Sequence, residues 1–432
     1  MQKLEIKNFG PIKEYELQVN DFMVLIGPQA SGKSTISKGV YFFKSLRDDL
    51  IKFVIELIED KNIRKPLGTF AKIIRQKFLN FWGSTQHLDN IFLKYTYSED
   101  VFIRISLEQK SKYVDPFFSP GFKYGFSEII SEAKKFIEFS STGNPASLSS
   151  SELLAIGSEK KMFYRKVENL ANALFQDDRD IFFIPAGRSL LATLSDQLQF
   201  LQTNKMDYLM RAFVDRINNY KPIFNKSLSD IVFEKKKLTM DTIDFENIVL
   251  AQSIVKSILK GSYRCDSDGE KIFINGENYV KLNYSSSGQQ EAIWILHLIF
   301  LFILENKKVF VVFEEPEAHL YPEAQKLMVE LVCLLFNNRN QIIITSHSPY
   351  ILASLNNLLY AAKIGRQKFD EVKKRINPKF WLDFDKLSAL FIDQGKCESI
   401  LDAELGLIMV EAIDSASQLI NDEYDFLFNL EE

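Results

Sequence analysis

The chain has 432 residues, a length that corresponds to roughly two to three folding units. Its 46% hydrophobic and 25% charged residues exclude a largely disordered or collagen-like protein. The net charge of −4 is unevenly spread, because residues 393–432 carry 11 acidic side chains and one basic side chain, which leaves +6 on the other 392 residues.

The sequence gives no support for secretion, a zinc site or a membrane span. Its N-terminus enters alternating polar and apolar residues at once, without the regions of a signal peptide. The cysteines, Cys265, Cys333 and Cys397, show no metal-ligand spacing. The longest nearly uninterrupted apolar run, Ala292–Leu304, has 13 residues and contains His297, whereas a spanning helix needs about 20. We therefore expect a cytoplasmic protein without a membrane segment.

The N-terminal pattern changes from strands to a helix. Residues 3–17 alternate between polar and apolar, which predicts antiparallel strands with one wet face, and residues 22–26 are continuously apolar, as in a strand buried on both faces. From Ser34 to Leu57, apolar residues recur at steps of three and four, which predicts an amphipathic helix.

The pattern of residues 62–178 predicts an inserted, mostly helical lobe. Short strand-like pieces at 90–97 and 101–107 interrupt the helical stretches, and a serine-rich bend covers 140–151. No repeat period is visible in this part of the chain.

Buried strands return after the insert and alternate with helices. Apolar runs predict strands at 181–184, 309–313 and 341–345, and turn signals at Asp268-Gly269 and Asn275-Gly276 predict two hairpins. Helical patterning covers the stretch up to about Ile258 and again about Pro322 to Phe336. This alternation predicts a largely parallel α/β sheet with nucleotide-binding loops at the carboxyl ends of its strands.

A complete phosphate-binding loop pattern follows the strand at 22–26. The loop reads Gly27, Pro28, Gln29, Ala30, Ser31, Gly32, Lys33 and Ser34, followed by Thr35. Backbone amides and the positive end of the next helix suit a polyphosphate. Lys33 would reach the β- and γ-phosphates, the Ser34 hydroxyl would ligate Mg²⁺, and Thr35 would add a hydrogen bond to a phosphate oxygen.

The strand at 309–313 leads directly into two carboxylates, Glu314 and Glu315. An uncharged buried strand that ends in acids is the Walker B arrangement. Here Glu314 would anchor the metal's water shell, and Glu315 would orient or deprotonate the attacking water.

Two further segments are candidates for phosphate contacts. Small residues at Ser286, Ser287 and Gly288, followed by Gln289, lead into the apolar helix from Ala292, where free amides can accept an anion, although a simple helix cap explains them as well. His347 stands just past the strand at 341–345 as either a structural residue or a γ-phosphate contact.

Together, in this order, the four segments resemble the ATPase heads of the ABC class. The opening Ile6-Lys7-Asn8-Phe9-Gly10, the serine-rich segment 284–291 and the segment 314–322 resemble more closely the branch that contains SMC-like repair proteins and the overcoming-lysogenisation-defect (OLD) ATPases of prokaryotic antiviral modules. The resemblance covers about residues 1–60 and 180–360 and does not explain the insert.

The resemblance implies an ABC-type ATPase head: a mixed, mainly parallel sheet with the phosphate-binding loop, N-terminal antiparallel strands and an inserted, mostly helical lobe. It divides the chain into 1–60 (head with the loop), 61–180 (insert), 181–360 (head with the other motifs) and 361–432 (basic segment, strands and acidic tail). In such proteins two heads enclose two ATP molecules. Ser286, Ser287, Gly288 and Gln289 would then contact the neighbour's nucleotide, and His347 would be the switch histidine.

Two other candidates stay open at this stage. Arg188, just after the strand at 181–184, would meet phosphate or nucleic acid, or would be a surface arginine that caps a helix. Asp383 and Asp385 resemble half of a nuclease metal site, but the apolar residues around them alternate as in a strand and no suitable glutamate precedes them, so we interpret them as structural.

These features predict an ATP- and Mg²⁺-dependent ATPase that forms a homodimer or higher homo-oligomer. The chain resembles the ATPase components of two-gene defence systems, such as AriA of PARIS and PtuA of Septu, which implies a separate effector protein, a nuclease. The alternative is an SMC-like ATPase of DNA repair, with nucleic acid bound at the basic segment Lys363–Lys379, although a solvated loop or helix face explains such a charge run more simply. The apolar residues of the acidic tail would dock a partner or pack on the chain's own head.

Overall fold

The computed structural model describes residues 2–60, 64–85, 88, 90–107, 113–140, 150–193, 206–238, 244–409 and 421–429. Its strands are β1 (Lys3–Phe9), β2 (Ile12–Gln18), β3 (Phe22–Ile26), β4 (Ile91–Ser98), β5 (Val101–Leu107), β6 (Asp115–Phe118), β7 (Asp180–Ile184), β8 (Ser262–Asp266), β9 (Gly269–Asn275), β10 (Asn278–Lys281), β11 (Val309–Glu314), β12 (Gln341–Ser346), β13 (Leu387–Asp393), β14 (Lys396–Ser399), β15 (Leu401–Asp402) and β16 (Leu407–Ile408). Its α-helices are α1 (Lys33–Asp60), α2 (Pro66–Trp82), α3 (Pro120–Ser140), α4 (Ser150–Phe175), α5 (Ser189–Thr193), α6 (Tyr208–Tyr220), α7 (Leu228–Leu238), α8 (Phe245–Leu259), α9 (Ser287–Leu304), α10 (Pro322–Phe336), α11 (Pro349–Gly365) and α12 (Phe369–Val372).

The chain forms two compact units. The first unit consists of Met1–Val19, Thr35–Ile181 and Gln394–Lys396, and the second unit consists of Asn20–Ser34, Phe182–Asp393 and Cys397–Glu432. Each unit has its own sheet and core.

The first unit is built on an antiparallel sheet in the order β2-β1-β4-β5-β6. The N-terminal hairpin is confirmed, and β1 also pairs with β4, so that Ile6 lies opposite Leu93. The predicted insert therefore contributes three strands to this sheet in addition to its helices. Burial alternates strictly along β4, since one face of the sheet is covered by the core.

The second unit is built on a six-stranded sheet in the order β14-β13-β3-β12-β11-β7. β3 is parallel to both β12 and β13, and β12 is parallel to β11, which confirms the predicted mixed α/β fold with a mainly parallel sheet. Every residue of β3, β11 and β12 is buried. Parallel strands need cover on both faces, and this is why they appear in the sequence as uninterrupted apolar runs.

The helix α9 lies in the core of the second unit, and all its residues from Glu291 to Leu304 are buried. By length and composition alone it is apolar enough to cross a membrane, but 78% of it is buried inside the protein, as expected of a core helix. The two predicted hairpins are also confirmed, with β9 between β8 and β10.

The prediction of a strand around Asp383 is wrong. Residues Phe384–Lys386 form a 3-10 turn, and the strand β13 begins only at Leu387. The Asp383 side chain accepts a hydrogen bond from the Asp385 amide at 3.4 Å, which holds the turn. A short polar side chain that bonds its own backbone competes with strand pairing, and here it outweighs the alternation of apolar residues.

The acidic tail is described only in part. Residues 421–428 are helical, and every side chain from 421 to 429 is exposed, so the prediction that the tail packs on its own head is wrong for this segment. Ile413, Leu419 and Ile420 lie outside the described residues.

Candidate nucleotide-binding site

The phosphate-binding loop has the strand–loop–helix frame that its sequence predicts. The buried strand β3 ends at Ile26, and α1 begins at Lys33. Gly27 has φ +150°, and a Cβ atom there would lie 2.0 Å from the main-chain oxygen of Ile392. Gly32 has φ +114°, so the loop has a path that residues with side chains rarely adopt.

The loop presents donors that suit a phosphate group. Ser31 is buried, and its Oγ has no hydrogen-bond partner among the described residues. An unpaired buried hydroxyl is unfavourable unless a ligand or water completes it. Pro28, Gln29, Ala30 and Ser34 are exposed, and Thr35 is partly buried. The residues present therefore fit an anionic ligand.

Lys33 is buried at the start of α1 and bonds its own loop. Its Nζ donates to the carbonyl oxygens of Gly27 at 2.8 Å and Pro28 at 2.7 Å. Burial lowers the pKa of Lys33, and the nearby carboxylates of Glu315 and Glu317 oppose that shift. A bound polyphosphate would supply the negative charge that this ammonium needs to offset its desolvation.

Glu314 is the last residue of β11, Glu315 follows it directly, and the two side chains differ in exposure. Glu314 is 6% exposed, whereas the Glu315 side chain is 41% exposed. Glu315 has φ +45°, a left-handed conformation that turns the chain sharply, and its amide donates to the Thr345 oxygen of β12 at 3.0 Å. The turn directs the Glu315 carboxylate towards solvent, where a water can reach it.

His347 connects the phosphate-binding loop with the end of β11. Its Nδ1 lies 3.5 Å from Lys33 Nζ, and its Nε2 lies 3.4 Å from Glu315 Oε1. The three side chains come from the carboxyl ends of the neighbouring strands β3, β11 and β12, which meet at one edge of the sheet. The structure thus brings together the three side chains that the sequence assigned to catalysis.

Glu317 belongs to this cluster, although sequence reasoning gave it no role of its own. Its Oε1 accepts hydrogen bonds from Ser346 Oγ at 2.6 Å and the His347 amide at 3.0 Å. Its Oε2 is buried and has no hydrogen-bond partner among the described residues. Its position two residues after Glu315 was the only available signal, because its partners come from another strand.

The serine-glycine segment, Ser286–Gly288, lies at the N-terminus of α9. Ser286 and Gln289 form a reciprocal capping box, so the helix-cap interpretation is confirmed, while contact with a neighbour's nucleotide stays a prediction. A Cβ atom on Gly288 would lie 2.7 Å from the His319 carbonyl oxygen, so this glycine allows the helix to pack against the turn after β11. Ser286 and Ser287 are exposed.

Arg188 is not a surface residue, and its side chain is not placed to meet an external phosphate. It is 1% exposed, and its guanidinium donates to four main-chain carbonyl oxygens: Pro185, Glu291, Glu314 and Glu315. Burial lowers the pKa of Arg188, and the carboxylate of Glu291 opposes this shift. The prediction of a surface arginine that caps a helix is therefore wrong.

The donor set also suits Mg²⁺. This ion prefers oxygen ligands and keeps several waters, so it commonly takes only one or two protein ligands beside substrate phosphates. A hydroxyl at Ser34 and a carboxylate at Glu314 match that requirement. Among the residues that the structure describes, no group of three or more His, Cys, Asp or Glu side chains could hold a metal by themselves.

A phosphate-binding loop, a buried strand that ends in two acids, and a histidine beside them, all on one edge of a parallel sheet, define a P-loop ATPase. The chain belongs to the AAA ATPase domain family, and the match covers residues 1–352. Membership of this family supports nucleotide binding and ATP hydrolysis as its general activity.

Individual relatives are more distant. The chain is 23% identical over 397 residues to an OLD nuclease of Thermus scotoductus, which is 86% of this chain, and it spans 63% of that relative's length. Similar solved structures include an SMC head bound to the C-winged helix domain of ScpA (14% identity, 93% of this chain and 98% of that one, TM-score 0.41) and the SMC head domain from Thermotoga maritima (14%, 82% and 90%, TM-score 0.34). At these TM-scores the likeness carries no weight, and the fold class rests on the sheet order and strand directions given above.

Proposed function

We propose that the chain is an ABC-type ATPase that works as a slow, ATP-dependent switch, in which a second copy completes each nucleotide site. The observation that carries this proposal is the cluster of Lys33, Glu315 and His347 beside the phosphate-binding loop. The cluster brings a buried cation, a partly exposed base and a hydrogen-bonding ring together beside the phosphate-binding loop.

Each side chain has a separate task in hydrolysis. Lys33 would exchange its two loop carbonyls for β- and γ-phosphate oxygens, and His347 would contact the γ-phosphate. Glu315 would orient the attacking water and take its proton. Ser34 and, through water, Glu314 would hold Mg²⁺, which would neutralise charge on the triphosphate.

The completion of the site by a second copy is supported by what surrounds the motifs. Ser286 and Ser287 stand exposed at a helix N-terminus, where amide groups attract anions. Exposed tyrosines flank three of the motifs: Tyr284 before the serine-glycine segment, Tyr321 after the turn that follows β11, and Tyr350 after His347. Tyrosine is enriched at protein–protein interfaces, so these residues suit a homodimer contact.

The switch would control a separate effector, a nuclease, in antiviral defence within the cytoplasm. The association with a nuclease is supported by the similarity to a relative that is named a nuclease, and the antiviral role and the separate effector by the motifs that resemble ATPases of defence modules. The exposed helical segment 421–428, with aromatic side chains among its carboxylates, is a surface that an effector could bind.

The direct test of ATP hydrolysis is Glu315→Gln. This variant keeps the size of the side chain but cannot accept the proton, so we expect turnover to fall by about a hundredfold or more while ATP binding persists and the closed dimer accumulates. Phosphate release, fluorescent-nucleotide titration and light scattering measure the three effects. Glu323→Gln, an exposed substitution in the first turn of α10, is the matched control. Unchanged turnover in Glu315→Gln would rule out the assigned role.

The second candidate is an SMC-like ATPase that binds DNA. It is favoured by six exposed cations on one short segment: Lys363, Arg366, Lys368, Lys373, Lys374 and Arg375. Two of the six also lie near acids, Arg366 at 3.8 Å from Asp383 and Lys373 at 2.6 Å from Asp370, and Lys379 is paired with both Asp244 and Glu246.

Fluorescence anisotropy with duplex DNA across a salt series separates the two candidates. Charge reversal at Lys368 and Lys374 should weaken DNA binding and reduce its salt dependence if phosphates are bound there. Charge reversal at the exposed Lys52 of α1 is the control. If the unmodified chain does not bind DNA at low salt, the second candidate is excluded.

A further inference from the structure

Arg188 makes an unusual set of contacts for a buried cation. Its Nε donates to the Glu291 carbonyl at 2.9 Å, its Nη1 to those of Pro185 at 2.5 Å and Glu314 at 2.8 Å, and its Nη2 to that of Glu315 at 2.9 Å. Buried charges are normally paired with side-chain acids, whereas most of this guanidinium is used on backbone oxygens. Two of these bonds hold the main chain at the end of β11, at the carbonyl groups of Glu314 and Glu315.

Glu291 completes the link from the side of α9. Its carboxylate accepts hydrogen bonds from the amides of Arg188 at 3.0 Å and Ser189 at 2.9 Å, and its Oε2 lies 3.4 Å from Arg188 Nε. Glu291 is 2% exposed. It lies in the first turns of α9, three residues after Gly288, so one buried pair joins the helix that carries the serine-glycine segment to the end of β11.

The main chain that Arg188 holds has a strained conformation at Glu315, the proposed base. Glu315 adopts φ +45°, a left-handed conformation that residues other than glycine rarely take because the Cβ atom comes too close to the backbone. Such a conformation persists only where the surroundings determine it. Arg188 binds the carbonyls on both sides of the Glu314–Glu315 bend, and the direction of the Glu315 side chain follows from that bend.

We propose that Arg188, held by Glu291, is a positioning residue that sets the orientation of Glu315 and couples it to the serine-glycine segment. The proposal rests on the proposed function, in which Glu315 handles the attacking water. Arg188 itself is 1% exposed, so it acts on Glu315 through the main chain.

Kinetics of Arg188→Lys test the effect on Glu315. Lysine keeps the charge but cannot reach four carbonyls, so we expect kcat to fall by about tenfold or more while KM for ATP changes by less than about threefold. In the Glu315→Gln background the same substitution should cause almost no further loss in single-turnover assays, because both changes act through one carboxylate. Equal losses in both backgrounds, or a raised KM with unchanged kcat, would overturn the proposal.

A matched control removes a buried cation elsewhere. Lys77 lies in α2 of the first unit, is 7% exposed, and donates to Ser45 Oγ at 2.7 Å and to Asp49. Lys77→Met should lower the melting temperature and leave kcat unchanged within about twofold, since it does not contact the site. If Lys77→Met lowers kcat as much as Arg188→Lys, the loss reflects general destabilisation and the positioning role is excluded.

Hydrogen exchange tests positioning without any hydrolysis. In the nucleotide-free protein, Arg188→Lys and the milder Glu291→Gln should speed exchange at residues 315–320, where Ala318 and Leu320 donate to Glu315 and Glu317. Lys77→Met should not change exchange there. Faster exchange in a chain that hydrolyses no ATP would support positioning and reject the proposed function, whereas unchanged exchange in both variants would reject positioning alone.

Discussion

His297 is a buried, ionisable side chain that the nucleotide site does not use. It lies in α9, is 0% exposed, and its ring packs edge-on against Phe224 and Tyr263 at centroid distances of 4.7 and 4.8 Å. Its Nδ1 lies 2.7 Å from the Ile293 carbonyl oxygen, so this nitrogen carries the proton and donates it. Burial in this apolar setting lowers the pKa of His297 to about 4.

The lowered pKa predicts a specific acid sensitivity. Between pH 6.5 and 4 the unfolded chain binds a proton at this histidine and the folded chain does not, so stability falls as the pH drops through this window. At pH 5 the loss is about 2 kcal/mol relative to pH 7. His297→Asn keeps a donor near Nδ1 and cannot titrate.

Urea unfolding at pH 7 and pH 5, followed by tryptophan fluorescence, measures this effect. The natural chain should lose about 2 kcal/mol more than His297→Asn between the two pH values. Identical losses in both proteins would show that His297 does not contribute to acid sensitivity.

At the level of elements, the approach of α9 to the turn after β11 depends on Gly288. Alanine normally stabilises a helix relative to glycine by about 1 kcal/mol. Here the added Cβ atom would lie 2.7 Å from the His319 oxygen, which belongs to the backbone and cannot rotate away. The contact therefore outweighs the helix propensity.

Gly288→Ala should lower stability by about 1–3 kcal/mol and reduce ATP turnover as well, because the strained turn carries Glu315. Gly68→Ala is the matched control: Gly68 lies in α2, and a Cβ atom there would meet nothing within 4 Å. Thermal unfolding of the two variants gives the comparison. If Gly288→Ala is as stable as Gly68→Ala, the turn at His319 moves aside at little cost, and the predicted steric conflict is wrong.

The elements of the second unit were largely predictable from the sequence, whereas the pairing in the first unit was not. Strands β3, β11 and β12 are continuous apolar runs with polar ends, so both their type and their bounds could be read. Alternation in β1 and β4 shows which face is buried but not which strand is the partner, and the two strands pair across about 90 residues. The turn at Phe384–Lys386 was missed because a side-chain hydrogen bond decided it.

The candidate site also has residues that the sequence predicted and a residue that it did not. Three motifs follow buried strands directly: the phosphate-binding loop, the pair Glu314-Glu315, and His347. Because parallel strands end at the same edge of a sheet, the proximity of these motifs could be expected. Arg188 was identified only as a candidate, and the interpretation of it as a surface residue was wrong because its acceptors are main-chain carbonyls. Main-chain acceptors carry no sequence signature, so this contact depends on the folded backbone.

At the scale of the whole molecule, all the candidate site residues except Thr35 belong to the second unit, and Thr35 follows it directly in α1. The two serines of the serine-glycine segment are exposed, and they belong to the same unit as the phosphate-binding loop. In a symmetric dimer each copy would give one segment and receive the other, which makes two equal sites. This reciprocal use of the serine-glycine segment by two copies is the central claim about function.

Mixing two inactive variants tests most directly whether a second copy completes each site. Lys33→Ala disables the loop, and Ser287→Arg blocks the exposed segment, so each variant alone should hydrolyse almost no ATP. A mixed dimer would keep one intact site, and an equal mixture should recover about a quarter of the natural rate. Lys33→Ala mixed with Glu315→Gln is the control and should recover nothing, because both substitutions disable the loop side of a site. Full activity of Ser287→Arg alone, or no recovery in the first mixture, would contradict the account.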